Sequence, residues 1–369
     1  MPTLFTNVAC FCYLCIVMDY KTYTQEAVSL LCRLIATPSF SREESAAADI
    51  MEEALRHYGF QTQRAGNNVW TSADTPDANR PTLLLNAHID TVRPAPSWRR
   101  DPFAPTIEGD RLYGLGSNDC GGGLMALLQT LRICRELGNM KYNIIYLASA
   151  EEEVSGAGGF SMALPLLPNV DVAIVGEPTG MQPAIAERGL MVVDGEAHGI
   201  AGHAARNEGV NAIYIALDDI QWLRHFSFPK VSPLLGACKT TVTIINGGTQ
   251  HNVVPDKCSF LIDVRTNELY TNQEVFEILK THMKSSLKER SFRLGSSRIS
   301  PHHPIVERCV AMGMTPFGSP TLSDQALMPF PSLKLGPGQS SRSHSADEFI
   351  CISEIENAIA TYVALICGI

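Results

Sequence analysis

The chain has 369 residues, 45% of them hydrophobic and 18% charged, with a net charge of −9 and a pI near 5.6. A single core stops growing at roughly 250–300 residues, so this length predicts two domains. The acidic balance, with no Lys/Arg run, excludes a nucleic-acid footprint and gives no reason to expect a polyanionic substrate.

Residues 1–17 are apolar but lack a basic leading region and fall short of the roughly 20 residues that span a bilayer. They read as a tail or a mis-assigned start, with Met18 the truer beginning and a signal peptide of unusual form the alternative. No other stretch is a membrane candidate. Eleven cysteines, an odd number scattered through apolar segments, read as reduced thiols of a cytoplasmic protein. Cys12 and Cys15 form a CxxC without a second pair, and no metal or redox role is expected there.

Apolar residues at helical spacing predict a helix over 23–35 and a second over 41–58, the latter with Ser41 and Glu44 in capping-box spacing. Strands are expected at 60–65, 68–73 and 82–88. The third is a short apolar run that ends in His88 and, two residues on, Asp90. Such runs read as buried strands of an α/β sheet, whose carboxyl ends hold the ligands. Neutral imidazole is a common metal ligand, and Asp90 is placed to accept its other N–H. Taken alone, the pair reads more readily as a surface histidine at a strand end.

Glycines then bracket Asp119 (Gly114, Gly116, Gly121, Gly122, Gly123) ahead of a helix over 124–137. The segment lacks the dinucleotide fingerprint, and no residue offers itself as a base to activate Cys120. A strand over 142–150 ends in Glu151-Glu152-Glu153, three adjacent carboxylates that call for a cation or for protonation. Another over 170–175 ends beside Glu177. His88, Asp119, the 151–153 acids and Glu177 make an oxygen-and-imidazole donor set suited to a pair of divalent ions.

From about 184 the pattern changes. Strands at 185–198, 239–246 and 258–266 with helices at 209–225 and 271–289 suit a small inserted α+β layer. His203 and Asn252 lie in its polar loops. The chain then returns to the first domain through Leu333–Gly338, a polar loop carrying His344, and a last helix over 353–366. No G-x-S-x-G occurs anywhere, which excludes the common serine-hydrolase elbow.

In order, the chain shows HxD at 88–90, G-x-G-x-x-D at 114–119, the acids at 151–153, GEPT at 176–179, G-x-x-G-H at 199–203, Asn252 before Pro255, D-x-R at 263–265, and GPG with SHSADE at 336–348. From about residue 22 to the end this set resembles the M20 metallopeptidases and deacylases, most closely the branch of acetylornithine deacetylase and succinyl-diaminopimelate desuccinylase. The resemblance implies an α/β fold: a zinc-peptidase-like catalytic domain (18–183 and 292–369) with a mixed, mostly parallel sheet flanked by helices. It also implies an inserted α+β, ferredoxin-like lid or dimerisation domain over 184–291.

The resemblance further implies two zinc ions, with cobalt as an alternative. His88, Asp119 and Glu177 hold one and Asp119, Glu153 and His344 the other, so that Asp119 bridges. Glu152 is then the general base, Asp90 its neighbour in the catalytic set, His203 the donor to the tetrahedral oxygen, and Asn252 and Arg265 substrate contacts. The implied partners are a small N-acyl amino acid and a second copy of the chain, met through the inserted domain.

Two departures stand out: relatives usually carry Arg where this chain has Leu115, and Lys after the Asp where it has Cys120-Gly121-Gly122. The expected activity is removal of an N-acyl group, acetyl first, from an ornithine-like amino acid in arginine synthesis. Alternatives are a desuccinylase of diaminopimelate, ornithine or citrulline, an M20 carboxypeptidase, and, in another class, a non-catalytic metal-binding module.

Overall fold

The computed structural model of the protein describes residues 19–138, 140–206 and 208–368. The expectations for residues 1–17, Cys12 and Cys15 among them, fall outside the described residues. The chain forms two compact units. One runs to Ile185 and resumes over Ile299–Phe317 and from Ser323; the other comprises Ala186–Arg298 with Gly318–Leu322.

The first unit is a layered α/β domain. Helix α1 (Lys21–Ile35) buries Ala27, Leu30, Leu31 and Ile35, and α2 (Ser45–His57) buries Ala47, Ala48, Met51, Ala54 and Leu55, each a stripe at three- and four-residue spacing. Strands β1 (Gln63–Ala65) and β2 (Asn68–Ser72) form a hairpin. They are followed by β3 (Thr82–His88), α3 (Gly122–Leu137), β4 (Asn143–Ser149), β5 (Val172–Val175), β6 (Ala184–Glu187), β7 (Ser332–Lys334) and α4 (Ile352–Gly368).

The sheet order is β1-β2-β4-β3-β5-β7-β6. Its centre is parallel: β3 pairs with β4 and β5, and β7 with β5. All seven residues of β3 are buried, which is why it reads as a continuous apolar run rather than an alternating one. Leu83, Leu85 and Ala87 face the main core with α1, α3 and α4, while Leu84 faces a smaller cluster with Trp70, Ile145, Leu147 and Phe160. The central strands therefore end side by side at one edge, with covered faces above and below.

The second unit has the order strand, helix, strand, strand, helix, strand. Its four antiparallel strands are arranged 239–247, 257–265, 191–198, 286–289, the ferredoxin-like plan expected of the insertion. Alternate residues of 257–265 (Cys258, Phe260, Ile262, Val264) are buried in the unit's own core, with Ala212, Ala216 and Leu223 of helix 212–225 and Val275 and Leu279 of helix 272–282.

Three local expectations are corrected. The strand expected over 185–198 breaks into 184–187 and 191–198, because the Arg188 guanidinium turns to the carbonyls of Leu235 and Ala237 and a Cβ on Gly189 would lie 2.4 Å from Thr266 Oγ1. The helix expected over 271–289 stops at His282, where the Asp219 carboxylate accepts the N–H groups of Lys284 (2.9 Å) and Ser285 (2.8 Å), and Ser286–Glu289 becomes an edge strand. Finally, Ser41 and Glu44 do not form a capping box: the helix begins at Ser45, and both side chains bond to distant loops.

Candidate metal centre

His88 is the last residue of β3. Its Nδ1 lies 2.8 Å from the backbone carbonyl oxygen of Asp90. A carbonyl only accepts, so Nδ1 carries a proton and Nε2 is the nitrogen turned to the acids. Nε2 faces Asp119 Oδ1 at 3.3 Å, Glu177 Oε1 at 3.6 Å and Glu152 Oε2 at 4.0 Å. The expected hydrogen bond from the imidazole to the Asp90 carboxylate is thus corrected: its Oδ1 is 3.6 Å away. That carboxylate instead accepts the N–H groups of Glu152 (3.0 Å) and Glu153 (3.2 Å) and the Ser41 hydroxyl (2.7 Å). Asp90 therefore shapes the turn that presents the two acids.

Of the acid triplet, Glu152 and Glu153 join this cluster and Glu151 does not. Glu151 adopts a positive φ of 52° and turns its carboxylate to the N–H of Gly158 (3.3 Å) and toward Arg42. Its own N–H donates to the buried Glu44 carboxylate at 3.0 Å. His344, also at positive φ, places Nε2 2.9 Å from Glu153 Oε2 and 3.6 Å from Asp119 Oδ2. Asp119 thus has one oxygen toward each histidine. Glu177 follows β5 after a single residue, Gly176, where the chain passes so close to α3 that a Cβ on Gly123 would lie 1.7 Å from the Gly176 carbonyl oxygen.

The electrostatics of this cluster are those of a site short of positive charge. Burial, and after it the charge of Glu177, pushes the Glu152 carboxyl well above the usual carboxylate range. Burial and the neighbouring Asp119 push Glu177 up to about 8. The hydrogen bond to Glu153 raises His344 to about 9. Glu177 Oε1 is buried without a hydrogen-bond partner. Two overlapping groups, His88–Asp119–Glu153 and His88–Cys120–Glu177, bring their ligand atoms within 4.8 Å of one another, close enough to hold a metal ion. Carboxylate oxygens and imidazole nitrogens packed this way fit divalent cations, which relieve the mutual repulsion of the acids.

Cys120 was the residue of this cluster without an assigned role. Its thiol is buried against the backbone of His88, whose N–H donates to Sγ at 3.2 Å, and burial raises its pKa, so an activated thiolate is not found. The two lost basic positions have physical counterparts. Leu115 is buried, and a Cβ on Gly121 would sit 2.5 Å from both the Gly116 carbonyl oxygen and Leu31 Cδ1.

The remaining expected residues belong to the second unit. Gly202–His203 pairs with Val253–Val254, and Ala204 N–H donates to the Asn252 carbonyl at 3.0 Å, so the His203 and Asn252 loops adjoin and both residues are exposed. Arg265 is already engaged in a two-pronged pair with Asp263, at 2.8 and 3.1 Å.

Residues 84–367 match the profile of the peptidase family M20/M25/M40. The chain belongs to this family. It is similar to acetylornithine deacetylase of Erwinia tasmaniensis, 29% identical over 368 residues that cover 89% of this chain and 94% of that protein. The enzyme of the same name from Proteus mirabilis is likewise 29% identical, covering 89% and 93%. Among solved structures, a tripeptidase from Staphylococcus aureus superposes with a TM-score of 0.72 at 21% identity, over 93% of this chain and 97% of that one. A dinuclear metal-binding peptidase of the M20 family from Bacillus subtilis does so with 0.71 at 15%, over 94% and 98%. The expected family and α/β fold are thereby established, and this M20 protein is a hydrolase.

Proposed function

We propose that this M20 hydrolase is a di-zinc amidohydrolase that removes an N-acyl group, acetyl first, from an ornithine-like amino acid in arginine synthesis. The observation that supports it is the convergence of His88, Asp119, Glu152, Glu153, Glu177 and His344 beside the carboxyl ends of the parallel central strands. The substrate is drawn from the deacetylase relatives. In this reading His88, Asp119 and Glu177 hold one ion, and Asp119, Glu153 and His344 the other. A bound divalent pair supplies Lewis acidity and an acidified water.

The chain's own groups do the rest. The Asp90 carbonyl holds a proton on His88 Nδ1 and leaves Nε2 to the ion. The Asp90 carboxylate holds the N–H groups of Glu152 and Glu153, so both acids are presented from one rigid turn. Glu152 takes the proton of the attacking water on its carboxylate and returns it to the leaving amine. His203 is assigned the tetrahedral oxygen, and Asn252 and Arg265 contact substrate; Arg265 offers only the part of its guanidinium that Asp263 leaves free.

The proposal includes a homodimer through the second unit, supported by exposed Tyr214 and Leu217 on helix 212–225 and exposed Ile244 and Ile245 on the edge strand 239–247. It also places the protein in the cytoplasm. The eight cysteines among the described residues are free, and among those residues no helix is long and apolar enough to cross a membrane.

The deciding experiment is a side-by-side assay of acetylornithine, succinylornithine, acetylcitrulline, succinyl-diaminopimelate and short peptides. Fastest turnover of acetylornithine is expected. Hydrolysis of peptides alone would remove the deacylase reading in favour of a peptidase. Less than one metal ion per chain after reconstitution, with no hydrolysis, would favour a binding module.

A further inference from the structure

Asp119 has the most demanding task in the cluster, since its two oxygens face different histidines, yet its backbone angles are non-helical and no strand ladder holds it. What holds it is a buried acid from the far end of the chain. Glu348 is 2% exposed. Its Oε1 accepts the N–H groups of Asn118 (2.8 Å) and Asp119 (2.9 Å), and its Oε2 accepts that of Gly116 (3.1 Å), which sits in the left-handed region at φ 74°. Three converging amides form a cradle that an anionic acceptor fills better than a neutral one.

Glu348 is itself fixed. Its carbonyl accepts the N–H of Gly114 at 3.1 Å, and the next residues, Phe349–Cys351, pair with Arg111–Tyr113. A second tie lies at the other end of the same segment. The Asn118 side chain accepts the Gln339 N–H (3.0 Å) and donates to the Gln339 carbonyl (3.1 Å) and to Ser343 Oγ (3.3 Å). Residues 339–348 are thus laced to the Asp119 turn on both sides of His344.

We propose that Glu348 is the positioning residue for Asp119. It acts through the backbone of 116–119 and sets, together with His344 four residues earlier in the same segment, the geometry of the ion position shared by Asp119, Glu153 and His344. The inference rests on the metal-site reading above and adds to it a residue that never touches the ion or the substrate.

The test compares the wild type with Glu348→Gln and Glu348→Asp by zinc titration, metal analysis, cobalt(II) absorption of the substituted protein, and kcat and KM at limiting and saturating metal. In Glu348→Gln one oxygen becomes an NH2 that faces a backbone donor. The expected result is a loss of about 10–100-fold in affinity for one of the two ions, the usual effect of removing a group that orients a ligand. A changed cobalt spectrum and a kcat that falls at limiting metal while KM stays within about twofold should accompany it, as for a group that orients a ligand without binding substrate. Glu348→Asp keeps both carboxyl oxygens on a shorter arm and should recover part of the affinity. Should Glu348→Gln fail to fold, the same shift, smaller in size, is expected in Glu348→Asp. Two ions in the wild type and an unchanged affinity and spectrum in the folded variant overturn the inference alone. A wild type that binds no metal removes the underlying reading and the inference with it.

Discussion

Replacing Asp90 by Asn separates two ways in which that residue could serve the site. Its carboxylate is 1% exposed and accepts three hydrogen bonds: Glu152 N–H at Oδ1, and Glu153 N–H and the Ser41 hydroxyl at Oδ2. An amide keeps one acceptor oxygen. The less costly orientation puts that oxygen at Oδ2 and turns the NH2 against the Glu152 N–H, leaving one buried donor unpaired at a cost of about 1–3 kcal/mol. The displaced residue is Glu152 itself, and a shift of about 1 Å in a reacting group costs on the order of 100-fold in rate. Metal affinity at His88 should hardly change, because Nδ1 is bonded to the Asp90 carbonyl, which the substitution leaves in place. The assay is a denaturant midpoint, kcat and metal content measured on one preparation. Unchanged midpoint and kcat would refute the reasoning. A large loss of metal with kcat intact at saturating metal would put the carboxylate behind the imidazole after all.

Glu152→Ala should keep both ions by metal analysis and lose about 10²–10⁴-fold in kcat, the usual worth of a general base. His344→Ala, which removes the Nε2 facing both Glu153 and Asp119, should retain one ion per chain instead of two. Gly123→Ala should abolish soluble protein, since its Cβ would meet the Gly176 carbonyl oxygen at 1.7 Å and neither backbone can yield. Cys120 should stay unlabelled by iodoacetamide in the native protein and react only in denaturant, as mapped by mass spectrometry, because its thiol is buried and its pKa raised.

The central strands were legible because each is buried on both faces and writes itself as an unbroken apolar run. Where such a run stops, a residue of the acid-and-imidazole cluster follows, as at His88, Glu152 and Glu153, and Glu177. The roles inside the triplet were not legible from pattern alone. Glu151, Glu152 and Glu153 are chemically alike, and only the positive φ at Glu151 and the grip of Asp90 on the next two amides set them apart. Ser41 and Glu44 misled for a related reason: their spacing suits a local cap, but tertiary partners, Asp90 and the Glu151 N–H, claim both side chains. The break after His282 was hidden because the group that ends the helix, Asp219, lies on a different helix. His344 and Glu348 sit in a polar stretch that reads as surface, and only the backbone amides of 116–119 reveal that Glu348 is interior.

Strand β7 enters the sheet between β5 and β6, although both of those neighbours are made far earlier in the chain. During synthesis, the emerging first half therefore holds a slot it cannot fill. Until Ser332–Lys334 arrive, β5 keeps an open ladder of amide donors and acceptors of the kind that recruits foreign strands. A ribosome-bound or truncated product ending before Ser332 should accordingly depend on chaperones and aggregate when released, whereas the finished chain closes its own gap and only then brings His344 to the acids waiting for it.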